Sequence, residues 1–141
     1  LERRDYEAGA QAFEVLAARY PDSEFSLSVG LALAEVYYDL GDYLRAVEEI
    51  RRRLPRLDAS LREKAHFLLA ESYNQLRDSE NAIVFYQRFT EENPGSPFYR
   101  RARLGLGWNY HYEGAYQWAA DEFAAVLDGS GDALAQEALY Y

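Results

Sequence analysis

The chain has 141 residues, 49% apolar and 28% charged, the composition of one folded domain rather than of a disordered segment. Its net charge of −9 disfavours nucleic-acid phosphates, and the absence of cysteine removes disulfide and thiolate chemistry. No apolar run is long enough to span a bilayer, and the opening LERRDYEAG, charged from its second residue, does not read as a signal peptide.

Asp5 to Arg19 reads as the first helix, with Phe13, Leu16 and Tyr20 three and four apart on one apolar face. Pro21 ends it, since proline removes an N–H and disfavours helix in the residue before it. Asp22 or Ser23 caps a second helix, which runs to about Leu40 and closes at Gly41. Asp42 caps a third, reaching about Leu54, where Pro55 disrupts it. Asp58 or Ser60 starts a fourth, Ser60 and Glu63 having the capping-box spacing, and it runs to about Leu76. Asp78 or Ser79 caps a fifth, reaching Glu92. Asn93-Pro94-Gly95 is a turn. Ser96-Pro97 opens a sixth helix with proline in its first turn, ending at Gly114. The seventh covers Tyr116 to Leu127. Gly129-Ser130-Gly131 is then a loop, and Asp132 caps a last, truncated helix.

These elements repeat. LAEVYYDLGDYLRAVEEI, Leu33 to Ile50, returns as LAESYNQLRDSENAIVFY and as LGWNYHYEGAYQWAADEF. Tyr37, Tyr73 and Tyr110 lie 36 and 37 residues apart, as do Ala46, Ala82 and Ala119. Upstream, Tyr6, Gly9 and Phe13 of DYEAGAQAF repeat only the second helix. A fixed period of this size marks a solenoid. The expected units are a half repeat over 1–23, repeats over 27–60, 63–96 and 100–133, and a truncated helix over 134–141. We therefore expect a single domain cut from a longer repeat protein. Ala34, Ala46, Ala70, Ala82, Gly107 and Ala119 let paired helices approach, and most tyrosines fill the gaps between pairs. Each pair needs a neighbour to cover its apolar face. Leu134, Leu139, Tyr140 and Tyr141 are then expected to be sticky, so self-association through the C-terminal helix is an expectation.

Leu33-Ala34-Tyr37, Leu69-Ala70-Tyr73 and Leu106-Gly107-Tyr110, the Gly41-Asp42-Tyr43 turn and the closing Pro21 and Pro94 together resemble the tetratricopeptide repeat. The resemblance implies an all-α, right-handed superhelical solenoid of antiparallel helix pairs. Three departures stand out. Arg77-Asp78-Ser79 replaces Gly-Asp-Tyr, Pro55 falls early, and Gly129 to Gly131 stand where the third unit lacks its proline. The longer units ending in YP-x-S are similar to the bacterial envelope branch of the family, such as Tol-Pal-associated coordinators and barrel-assembly lipoproteins. That implies a periplasmic or envelope location, with the cytoplasm as the alternative.

No catalytic or metal set is legible, so no enzyme and no cofactor are expected. His66 and His111 lack partners at metal-ligand spacing and read as packing or groove residues. Gly105-Leu106-Gly107 lies inside a helix with no preceding strand, so close helix packing accounts for it better than a nucleotide loop. Glu48-Glu49, Glu91-Glu92 and Arg51-Arg52-Arg53 read as solvated helix faces.

The resemblance further implies that the first helices of the pairs line a concave binding groove. The positions carried over are Leu31, Glu35 and Tyr38, then Lys64, Phe67, Glu71 and Asn74, then Arg101, Leu104, Trp108 and His111. The carboxylate clamp of chaperone-binding members needs Lys and Asn where Leu31 and Glu35 stand, so chaperone C-termini are disfavoured. An aromatic groove dotted with Glu35 and Glu71 suits a protein or peptide segment with apolar anchors and a basic residue. Trp108 is the best anchor, unless it packs inside the stack. Trp118 stands where the other units have Arg45 and Asn81, an exposed position. It reads either as a second contact or as a cover for the loop at Gly129. The expected function is a protein-interaction scaffold within a larger multi-repeat protein. A spacer or self-association module, and a regulatory arm of an enzyme elsewhere in the parent, are the rival readings.

Overall fold

The computed structural model describes residues 3–20 and 23–128. They form seven α-helices: α1 (Arg3–Arg19), α2 (Glu24–Asp39), α3 (Tyr43–Arg53), α4 (Ala59–Gln75), α5 (Ser79–Glu92), α6 (Tyr99–Tyr112) and α7 (Tyr116–Leu127). A single 3-10 turn, Leu54–Arg56, carries Pro55 where α3 stops. The expectations for Pro21, Asp22, the Gly129 loop, the Asp132 cap and the apolar residues of 134–141 fall outside the described residues.

Each helix packs on the next, and α2, α4 and α6 also touch one another in series. That second set of contacts puts the three first helices of the hairpins along one side of the array. The five alanines at the expected close-approach positions are at most 3% exposed, and Gly107 is buried with them. A Cβ on Gly107 would lie 2.6 Å from the Phe123 ring.

The turns inside the hairpins are built alike at three successive places. The N–H groups of Asp42, Asp78 and Ala115 donate to the carbonyls of Tyr37, Tyr73 and Tyr110 at 2.8, 3.0 and 2.8 Å. The N–H groups of Gly41, Arg77 and Gly114 donate to those of Tyr38, Asn74 and His111 at 3.0, 3.1 and 3.0 Å. This two-bond closure satisfies the last helix carbonyls and requires a left-handed residue at its apex. Gly41 and Gly114 supply it at φ 81°, and Arg77 adopts it at φ 61°. The departure at Arg77 therefore changes the residue and keeps the turn.

Asp42 and Asp78 then cap the following helices, accepting from the N–H of Arg45 at 3.3 Å and of Asn81 at 3.2 Å. Ala115 has nearly the same backbone, φ −85° and ψ 65° against −92° and 71° at Asp42, but no side-chain oxygen. An Ala115→Asp variant is expected to gain about 1 kcal/mol in a urea titration. An unchanged midpoint would mean that the N–H groups opening α7 are already satisfied.

A second periodic tie joins one hairpin to the next. The Tyr37 hydroxyl donates to the Glu14 carboxylate, Arg51 donates to the Tyr73 hydroxyl at 2.7 Å, and Gln87 donates to the Tyr110 hydroxyl at 2.5 Å. Each tie runs between a first helix and the second helix of the preceding hairpin. Burial, reinforced by Glu14, pushes the Tyr37 hydroxyl up to about 12.

Of the alternative caps, Ser23 and Asp58 serve, accepting from the N–H of Ser26 and Leu61 at 2.9 Å each; Ser60 lies within the first turn of α4. Two expectations need correction. Pro97 does not open α6. Ser96 Oγ accepts the N–H of Phe98 at 3.1 Å, and the helix starts only at Tyr99. Glu49 and Arg53 are not solvated: each is 7% exposed, and they form an ion pair one helical turn apart. Arg53 also donates to the Glu49 carbonyl at 2.9 Å. Its guanidinium fits because α2 offers Gly30 there, where a Cβ would lie 2.0 Å from Arg53 Nε. Glu48, Arg51 and Arg52 are exposed as expected.

Candidate functional site

The side of the array formed by α2, α4 and α6 carries two clefts. The larger, about 700 Å³, lies between α2, α4 and the connection before α6. Glu35, Tyr38, Lys64 and Phe67 of the expected groove line it. The smaller, about 210 Å³, lies between α4 and α6 and is lined by the expected Glu71, Asn74, Arg101, Leu104 and Trp108. The clefts share α4, with Phe67 facing one and Glu71, a turn later, facing the other.

Two expected groove residues stand elsewhere. Leu31 is 4% exposed and packs in the main core with Leu27 and Ala34. It shares the face of α2 that carries Glu35 and Tyr38, one and two turns further on, but at its level of the helix the core covers that face. His111 is exposed and lines neither cleft; its ring lies 5.7 Å from Trp108 and 5.3 Å from Tyr116.

Within the smaller cleft the polar groups are fixed. Tyr86 donates its hydroxyl to Glu71 at 2.6 Å from the buried side. Burial pushes the Glu71 carboxyl upward, against the pull of that hydrogen bond and of Arg101. Asn74 accepts from buried Asn109 at 3.0 Å, tying α4 to α6, so it serves the scaffold as well as the cleft wall. Trp108 is half-buried. One edge packs on Phe123 of α7 at 5.2 Å, and the ring also lines the cleft.

Phe98 was not among the expected site residues. It lines the larger cleft and stacks on Phe67, with ring centroids 4.9 Å apart. Reading Pro97 as helical hid it. The signal was in the period: Phe25, Leu61 and Phe98 occupy one repeat position, 36 and 37 residues apart. Trp118 is 62% exposed and meets Tyr110 edge-on at 5.5 Å.

Elsewhere, a cleft of about 500 Å³ between α1 and α3 is lined by arginines and glutamates in near balance, partly paired with each other, as in Arg52 with Glu49 at 3.4 Å. Among the described residues no group of three His, Cys, Asp or Glu is placed to hold a metal ion, and no helix is long and apolar enough to cross a membrane.

His66 is 4% exposed, beside Phe85 and with Nδ1 3.3 Å from Glu92. Burial holds its pKa below 6.5, aided by Arg88 and Arg62 and opposed by Glu92. The unfolded chain takes up this proton near pH 6.5 and the folded chain only at lower pH. Stability carried by neutral His66 is therefore lost as pH falls below that value. An NMR titration is expected to find His66 titrating below 6.5; a midpoint at or above it would contradict this environment.

Stacked two-helix units with a continuous row of first helices define a helical-repeat solenoid. A tetratricopeptide-repeat family model matches residues 64–96, and the described residues have the fold of a tetratricopeptide-repeat solenoid. Two crystal structures of MamA match with TM-scores of 0.77 and 0.76, each at 20% identity over 97% of this chain and over 84% and 79% of theirs. BtubC (BKLC) from P. vanneervenii matches with a TM-score of 0.65 and 18% identity, over 96% of this chain and 61% of that one. No curated protein matches the sequence. These matches do not carry the envelope branch of the resemblance.

Proposed function

We propose that this protein is a protein-interaction scaffold that holds a segment of a partner along the face of α2, α4 and α6. The observation that carries the reading is the pair of adjoining clefts on that face, each with a half-buried aromatic side chain in its lining: Phe67 in one, Trp108 in the other. Aromatic anchors set in a concave surface give large contact area at small rotamer cost. The carboxylates of Glu35 and Glu71 suit a basic residue beside the apolar anchors of that segment.

Random peptides displayed on phage and selected on the chain supply a probe. Trp108→Ala is expected to weaken a selected peptide on the order of tenfold or more. Unchanged affinity in a variant with native helical content would contradict binding on this face. Assembly of the chain alone with rising concentration, together with a failure to select any peptide, would favour the self-association reading instead.

A further inference from the structure

We infer that the larger cleft is an anchor pocket for a partner segment in which one large apolar side chain is flanked by lysine or arginine. This rests on the groove reading above and narrows it. Phe67 and Leu68 make the floor, and Tyr38 stands at one wall. The other wall is Phe98, which the connection between α5 and α6 brings over the floor, stacked on Phe67 with the rings 21° from parallel. Phe98 is held there by its neighbours and yet remains 48% exposed. An entering aromatic or branched side chain would cover that exposed half and continue the stack. A cleft of about 700 Å³ has room for one such side chain and the backbone beside it.

The rim decides what flanks the anchor. Glu35, Asp39 and Glu63 line the opening, and among the described residues the one cation lining it is Lys64, whose ammonium lies 3.6 Å from Glu35. Three carboxylates against one ammonium leave the rim negative, on a chain whose net charge is −9. The field at the opening therefore draws in a segment carrying positive charge and turns away an acidic one. Phe98 selects for the apolar side chain, and the rim selects for its neighbours.

The phage-selected peptides, synthesised and measured by fluorescence anisotropy, test this. The selected sequences are expected to share a large apolar residue beside lysine or arginine. Phe98→Ala and Glu63→Lys are each expected to weaken them on the order of tenfold, and added salt to weaken binding to the wild-type chain. Both positions lie at the surface, and circular dichroism shows whether each variant keeps its helices. Selected sequences without basic residues, or wild-type affinity in both variants, would overturn the assignment. If such peptides still lose affinity to Trp108→Ala, the groove stands and only this pocket falls. If no peptide is enriched, both fall.

Discussion

Phe89→Ala is expected to destabilise the protein by about 3–5 kcal/mol, the largest effect of any single truncation considered. Phe89 is 0% exposed, in the middle hairpin of the array. Its ring lies 5.2 Å from Phe67, so the core of this hairpin is also the underside of the groove floor. Truncation removes the ring's burial and opens a cavity that two packed helices cannot close. In a repeat array, stability is a sum of each unit and its interfaces, so a defect in the middle unit also weakens both neighbouring interfaces. A urea titration followed by circular dichroism measures the loss. A loss under about 1 kcal/mol would mean that this hairpin is not the core of the array.

Gly105→Ala is expected to cost about 1–3 kcal/mol, although alanine is the better helix former. A Cβ at Gly105 would lie 2.4 Å from Cζ and 2.8 Å from the hydroxyl oxygen of Tyr86. Tyr86 is 1% exposed and cannot swing aside without withdrawing its hydroxyl from Glu71. The substitution must therefore either part α5 from α6 or leave a half-buried carboxylate without its donor, and both cost more than the propensity gain. Gly9→Ala is the control. Nothing lies within 4 Å of the added Cβ in α1, and up to about 1 kcal/mol of stabilisation is expected. If Gly105→Ala stabilised as Gly9→Ala does, the contact between α5 and α6 would be looser than described.

Much of the fold was legible because the determinants of a repeat are local and recur. Ala46 and Ala82 announce close approach wherever they fall, and both are 0% exposed. Gly105 and Gly107 read correctly as packing glycines for the same reason. The period also carried the turn through Arg77, where local propensity argues against the left-handed backbone.

The misses share a different cause: each depends on a partner distant in sequence. Glu49 and Arg53 look like a solvated pair one turn apart, and what buries the arginine is a missing side chain at Gly30 on another helix. Leu31 holds the same repeat position as Phe67, yet it lies in the core while Phe67 lines the cleft. Phe98 lines the cleft by stacking on Phe67, a ring on another helix.

The groove itself is tested most directly by the two indole N–H signals of the chain. Trp108 lines the smaller groove cleft, while Trp118 lies with Gln87 and Tyr110 at a cleft formed by α5, α6 and α7. On titrating a selected peptide into the labelled protein, the Trp108 indole signal is expected to shift with saturation while Trp118 stays in place. A shift of Trp118 with Trp108 unmoved would put the partner on the other side of the array and contradict the groove.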